Sequence, residues 1–301
     1  MAARGASIAR ASHPREIRDM SNSADIDVTY GVSNAFYQLW LDKRMTYTCA
    51  LFESDADTLE AAQTRKLEYH YAAARVKPES RVLDIGCGWG SNLEFLAVDK
   101  GVRDVAGITI SSDQVDYIEA RAIRNVSAEL ISYEHYSPKQ LFDAVISIGM
   151  FEHIATPEEA RAGTHIDKYR EYFRRAWTWT QPGAWFSLQT VITTRVPRGE
   201  LLRELAWATR TIFPGAITPT LEAVVRASLP YWEVVEVHTR REHYAKTTGE
   251  WLRRLRAHRE EIVSTWGEAL FTTYERYLSA CVSVFSQNYQ SLAQLALRRI
   301  D

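Results

Sequence analysis

Two hydrophobic periods share this chain. Short, nearly continuous apolar runs bounded by turn residues recur at residues 81–85, 105–109, 128–132, 141–148 and 184–192. Runs of this length read as strands buried on both faces of a parallel sheet. Between them lie stretches with apolar residues every third or fourth position, at 92–98, 113–124 and within 158–178, which read as helices. Strand alternating with helix predicts an α/β, doubly wound sheet, with Pro182-Gly183 turning into the fifth strand. Upstream, residues 25–42 carry Tyr30, Phe36, Tyr37, Leu39 and Trp40 at helical spacing, and residues 58–76 do the same with Leu59, Ala62, Leu67 and Tyr71. Downstream of the fifth strand come an apolar, aromatic segment at 200–214, a helix at 220–227, a strand at 232–238 and helices at 247–259 and 267–297. The predicted organisation is a disordered tail at 1–22 (Met20 is an alternative start), a helical N-terminal lid at 23–78, and a ligand-binding core with helical cap elements at 79–301. No compositional break reads as a linker, so this is one structural domain with insertions.

The first sheet unit carries the chemistry. Residues 81–92 read RVLDIGCGWGSN: a strand, a glycine turn at Gly86, Gly88 and Gly90, then a helix start. Glycines let the backbone approach a ligand, and the helix start offers free N–H donors. Asp84, just before the turn, is placed to bind or orient a polar group. A dinucleotide site would space its glycines G-x-G-x-x-G, with an acidic residue about 20 positions on. Here the spacing is G-x-G-x-G, and the second strand runs into Ser111-Ser112.

Composition narrows the partners. The formal net charge is −2 over 301 residues, which gives nucleic acid no bulk electrostatic hold. Cys49, Cys87 and Cys281 show neither metal spacing nor a disulfide framework, so no metal is expected and a reducing cytoplasm is the default location. No apolar run approaches a membrane span. The basic stretch 251–259, with Leu252 and Leu255, is compatible with peripheral contact with anionic lipid, but reads more simply as a solvated face. Nothing here fixes an oligomeric state.

Four stretches fall in a telling order: Tyr47-Thr-Cys-Ala-Leu-Phe52, the segment 83–90, Gly107-Ile-Thr-Ile-Ser-Ser-Asp-Gln114 and Ser147-Ile-Gly-Met-Phe-Glu-His153. Together with Tyr30-Gly-Val-Ser33, Ile212-Phe-Pro-Gly215 and His243-Tyr-Ala-Lys-Thr247, they resemble the cyclopropane-fatty-acid and mycolic-acid synthase family of S-adenosylmethionine-dependent methyltransferases. The resemblance implies a class I methyltransferase fold, a Rossmann-like seven-stranded sheet with a helical N-terminal lid and a helical insertion after strand five. It implies that S-adenosylmethionine is held by Tyr47, Thr48, Asp84, Gly86, Gly88, Thr109, Ile110, Gln114, Tyr133 and Glu134. Phe36, Tyr37 and Phe213 are candidates to line the acceptor pocket.

The chemistry implied by the resemblance is methyl transfer to an alkene through a carbocation, with a fatty acyl chain or a small unsaturated metabolite as acceptor. Such a cation calls for aromatic faces and excluded water. The family's base is bicarbonate, and its cage maps onto Cys49, Ile148, Glu152 and Tyr244. A fifth cage position is His in the family but Gln189 here, and an amide cannot carry the proton. Either Gln189 leaves a weakened bicarbonate site, or Glu152 takes the proton directly and the product is methyl-branched or methylene-bearing. A polar insertion at 156–167, and Phe285-Ser-Gln-Asn288 where lipid-acting members have Phe-Arg-x-Gly, favour the second. His153 and Cys87 are expected to be structural, and His243 exposed. Two alternatives stay open: an O- or N-methyltransferase of small molecules, and a cofactor-binding scaffold without methyl transfer.

Overall fold

The apolar runs assemble side by side. In the computed structural model, which describes residues 32–301, β1 (Arg81–Ile85) lies between β2 (Asp104–Thr109) and β4 (Phe142–Ile148), parallel to both. β3 (Val126–Leu130) flanks β2 and β5 (Thr180–Thr193) flanks β4, also parallel. Then β7 (Gln290–Arg299) inserts antiparallel between β5 and β6 (Trp232–Thr239), completing a seven-stranded sheet in the order β3-β2-β1-β4-β5-β7-β6. Strand order reverses between β1 and β4, and ligands of such sheets bind beyond the carboxyl ends at that switch. The expected tail and Tyr30 lie outside the described residues.

Helices cover both faces. α1 (Asn34–Gln38) and α2 (Leu59–Ala73) precede the sheet. α3 (Ser91–Glu94) follows the glycine turn and continues as a π-helical turn, Phe95–Asp99; α4 (Ser112–Ala120) links β2 to β3. The insertion beside the Phe-Glu-His signature is ordered: Thr156 and Glu159 form a reciprocal capping box on α5 (Pro157–Ala162), Gly163 ends it, and α6 (His165–Thr178) follows. The cap comprises α7 (Gly199–Ile212), α9 (Arg241–Ala257), α10 (Arg259–Trp266) and α11 (Glu268–Ser286), whereas α8 (Leu221–Ser228) packs with α6 in the sheet core. Among the described residues no helix is long and apolar enough to cross a membrane.

One predicted element is corrected. The helix expected over 267–297 ends at Ser286, and the apolar run after it is β7. β7 is buried on both faces between two strands, and a continuous apolar run does not distinguish such a strand from a helix. The break falls at Asn288, whose φ of 60° is the left-handed conformation that ends helices. Asn there is a tolerated stand-in for the Gly of Phe-Arg-x-Gly. Pro182-Gly183 does turn the chain, but inside β5: Thr180 pairs with Phe142 and Trp185 with Ala144, so the residues between them bulge out.

The expected lid divides. α2 lies against the sheet, with His70 reaching Ser187 and Gln189 on β5. α1 instead joins an aromatic cluster with the cap, where Phe36 packs 4.7 Å from Tyr274 and Tyr37 4.9 Å from Trp89. The Tyr37 and Tyr274 hydroxyls share a 2.8 Å hydrogen bond.

Candidate active site

The glycine turn is shaped for a close ligand. The N–H groups of Gly86 and Cys87 both donate to the Ile108 carbonyl, at 2.9 and 3.1 Å, tying the turn to β2. Gly86 has φ 78°, and a Cβ there would meet Met150 at 2.6 Å. Gly88 has φ 55°, and a Cβ there would meet no atom within 4 Å. It faces open space that a side chain would fill. Cys87 packs beneath Gly107, as its structural reading predicts.

Asp84 is buried beside this cradle. Its Oδ2 accepts a 3.0 Å hydrogen bond from Asn92, while its Oδ1 is buried without a partner. Burial raises its pKa to about 6. An orphaned carboxylate oxygen next to an open backbone cradle suits a ligand carrying an ammonium or hydroxyl donor. Met45, Thr46, Tyr47, Thr48, Gly86, Gly88, Gln114 and Ile148 line the same cleft. Gln114 is 4% exposed and accepts from the Thr109 hydroxyl at 2.7 Å, and Ile110 follows directly, half-buried. Tyr133 and Glu134 stand in the loop after β3. Tyr133 packs edge-on to Tyr172 at 5.2 Å, and Glu134 is half-buried near Lys168.

Two residues of this region were missed in the sequence. Lys66 and His70 sit one turn apart on the buried face of α2. Lys66 lines the cleft, donates to the Thr48 hydroxyl at 3.2 Å, and has its pKa lowered to about 8 by burial. The signal was available: Leu59, Ala62, Gln63, Lys66, Leu67 and His70 share one helical face, so two ionisable groups stand where the pattern calls for apolar ones.

The residues expected to form the anion cage come from β4 (Ile148), β5 (Gln189), the turn after β4 (Glu152), the segment before α2 (Cys49) and α9 (Tyr244). Gln189 pairs in register with Ile148, and its carbonyl accepts the Gly149 N–H at 2.9 Å. Glu152, in the 3-10 turn Phe151–His153, accepts the Val191 N–H at 2.5 Å through Oε1, while its Oε2 is buried without a hydrogen-bond partner of good geometry. Burial raises its pKa to about 7. Cys49 reaches the cap through its neighbour Ala50, whose N–H donates to the Thr247 hydroxyl at 3.0 Å. Tyr244 is one turn before Thr247 on α9, stacked on Phe285 at 4.3 Å.

Aromatic rings close the cap side. Tyr47 lies 5.2 Å from Trp251 and 6.3 Å from Phe213, which also meets His153 at 6.1 Å and Tyr277 at 5.7 Å. Phe36 and Tyr37 are fully buried deeper in this cluster. Burial lowers the His153 pKa to about 4. His243 departs from expectation: it is half-buried, and its Nδ1 accepts the Phe52 N–H at 3.1 Å, docking the N-terminal segment on α9. In the basic stretch, Leu252 and Leu255 face inward while Arg253, Arg254, Arg256 and Arg259 pair with Glu250, Glu60, Glu275 and Glu268. That is the solvated-face reading.

A parallel sheet ending in an antiparallel strand pair, with a glycine-turn cleft at its switch point, defines a class I S-adenosylmethionine-dependent methyltransferase. The chain belongs, within that class, to the mycolic acid cyclopropane synthetase family, whose model matches residues 17–295. It is 30% identical over 286 residues to cyclopropane mycolic acid synthase 2 of Mycobacterium leprae, covering 89% of this chain and 91% of that protein. The cyclopropane synthase MmaA2 of Mycobacterium tuberculosis superposes with a TM-score of 0.85 at 28% identity, over 92% of this chain and 98% of that one. The mycolic acid cyclopropane synthase CmaA1, solved with S-adenosylhomocysteine and CTAB, superposes with a TM-score of 0.84 at 27% identity, over the same shares of each chain.

Proposed function

We propose that this enzyme methylates a carbon–carbon double bond of an unsaturated acyl chain, and that a small oxyanion held against Gln189 removes the proton that completes the reaction. The observation that carries this reading is the Gln189 amide: fully buried, in register with cleft-lining Ile148, its NH2 without an acceptor. Bound in the cleft, S-adenosylmethionine supplies an electrophilic methyl group, which the alkene takes with its π electrons to leave a carbocation on the neighbouring carbon.

The chain's residues have three tasks. Gly86, Gly88, Asp84, Thr48 and Gln114 hold the cofactor, with Lys66 placed to meet a carboxylate. Tyr47, Phe213, Tyr244 and Trp251 offer ring faces to the cation and keep water from it. Gln189, the backbone around Cys49, and Tyr244 hold the base, bicarbonate by likeness to the family, with Glu152 beside it. If the base takes a proton from the new methyl group, the released C–H electron pair closes a cyclopropane. The complex of CmaA1 with CTAB, itself a long-chain amphiphile, supports an acyl acceptor here. Three free cysteines are compatible with the cytoplasm.

A second reading rests on Glu152. Its raised pKa and its place beside β5, the neighbour strand of cleft-lining Ile148, where the Val191 N–H holds it, suit a direct base, which would give a methyl-branched or methylene product without bicarbonate. Incubating the enzyme with S-adenosylmethionine and vesicles of monounsaturated phospholipid, with and without bicarbonate, separates the two. A cyclopropane that forms only with bicarbonate supports the first reading; a methylene product indifferent to bicarbonate supports the second.

A further inference from the structure

Gln189 stands where the family's imidazole would be, and an amide has a weakness there. Its oxygen and NH2 are nearly isosteric, so a free amide rotates and presents either an acceptor or a donor. Presented to an anion, the oxygen would repel. The structure contains a chain of hydrogen bonds that removes this freedom.

The chain begins at Arg240, whose guanidinium can only donate. Its Nε lies 3.2 Å from Gln294 Oε1, which fixes that amide with its oxygen toward Arg240. Gln294 Nε2 is thereby turned to Gln189, where it donates to Oε1 at 2.8 Å. His70 Nε2 lies 3.2 Å from the same oxygen. Burial keeps the imidazole neutral, its pKa lowered to about 3. With its proton on Nε2, His70 Nδ1 accepts from the Ser187 hydroxyl at 2.8 Å. Every link then has a donor and an acceptor, and the Gln189 oxygen is doubly satisfied. The Gln189 NH2 is left buried with no protein acceptor, a state that carries a free-energy cost unless something accepts from it.

We infer that Arg240, Gln294 and His70 are positioning residues, which lock the Gln189 amide so that it always presents N–H to a small oxyanion. The inference rests on the anion reading above and adds the device that lets an amide serve in that place. On this account His70 acts through Gln189, from helix α2, and does not itself meet the substrate.

The probe is ¹³C-labelled bicarbonate, titrated by NMR into the full chain saturated with S-adenosylhomocysteine. In Gln294→Glu the new carboxylate accepts from both Arg240 and the Gln189 NH2, which reverses the Gln189 amide. Bicarbonate should then bind at least about tenfold more weakly, the loss of one charge-assisted hydrogen bond. S-adenosylhomocysteine affinity should stay within about twofold. A merely structural role would instead lower cofactor affinity and melting temperature together. Gln294→Met removes one of the two donors without adding an acceptor, so its loss should fall between wild type and Gln294→Glu; it carries the test if the charged variant does not fold. If Gln189→Leu weakens bicarbonate but both Gln294 variants bind like wild type, the positioning inference is overturned and the anion reading stands. If Gln189→Leu binds like wild type, or the wild type binds no bicarbonate, the anion reading fails and takes the inference with it.

Discussion

Gly88→Ala separates a cofactor cradle from an ordinary turn. At φ 55°, with no atom within 4 Å of the added Cβ, the substitution meets no protein obstacle. Its stability cost is the left-handed backbone alone, about 1–2 kcal/mol. For a protein of this size that lowers the melting temperature by roughly 2–3 °C. The new methyl group projects into the cleft, however, where the cofactor's approach to the backbone leaves no room. Overpacking of this kind costs about 1–3 kcal/mol, a weakening of cofactor binding by about 5- to 150-fold. Gly86→Ala is the contrasting control: its Cβ would sit 2.6 Å from Met150, so it should lose stability as well as affinity. Calorimetric titration with S-adenosylhomocysteine, paired with thermal melts, measures both quantities. A Gly88→Ala protein that melts a few degrees lower but binds cofactor normally would refute the placement of the cofactor over Gly88.

Two further substitutions follow from buried charge. The Glu152 carboxyl titrates near 7 in the fold against 4.5 in the unfolded chain, so between those values the native state keeps a proton that the unfolded state has lost. Stability therefore falls as pH rises through that window, by about 3 kcal/mol in all. Glu152→Gln should abolish methyl transfer and remove this fall, so that melting temperatures of wild type and variant diverge from pH 5 to 8; parallel curves would contradict the burial argument. Lys66, lowered from 10.5 to about 8, costs the fold about 3 kcal/mol at every pH below 8. Lys66→Met should raise the melting temperature of the cofactor-free protein while weakening cofactor binding about tenfold or more; unchanged affinity would remove Lys66 from the cofactor's contacts.

Much of the fold is legible in the sequence because strands β1, β2, β4 and β5 are continuous apolar runs separated by amphipathic helices, a pattern few architectures share. β7 was not, since its burial comes from neighbouring strands far along the chain and its local pattern continues that of α11. The cofactor cradle is legible because a G-x-G-x-G turn is a local demand on the backbone. The network around Gln189 is not: His70, Arg240 and Gln294 come from α2, the start of α9 and β7, and only the assembled sheet makes them neighbours. His243 was misread for the same reason, its acceptor role depending on Phe52 from the opposite end of the chain.

The most direct test of the account follows the methyl hydrogens. The enzyme is supplied with S-adenosylmethionine carrying a trideuterated methyl group, bicarbonate and a monounsaturated phospholipid, and the acyl chains are analysed by mass spectrometry. Alkene methylation closed by proton loss from the new methyl group predicts a one-carbon addition on the acyl chain that retains two of the three deuterons, in a ring that resists hydrogenation. All three deuterons on oxygen or nitrogen, with the double bond intact, would contradict it.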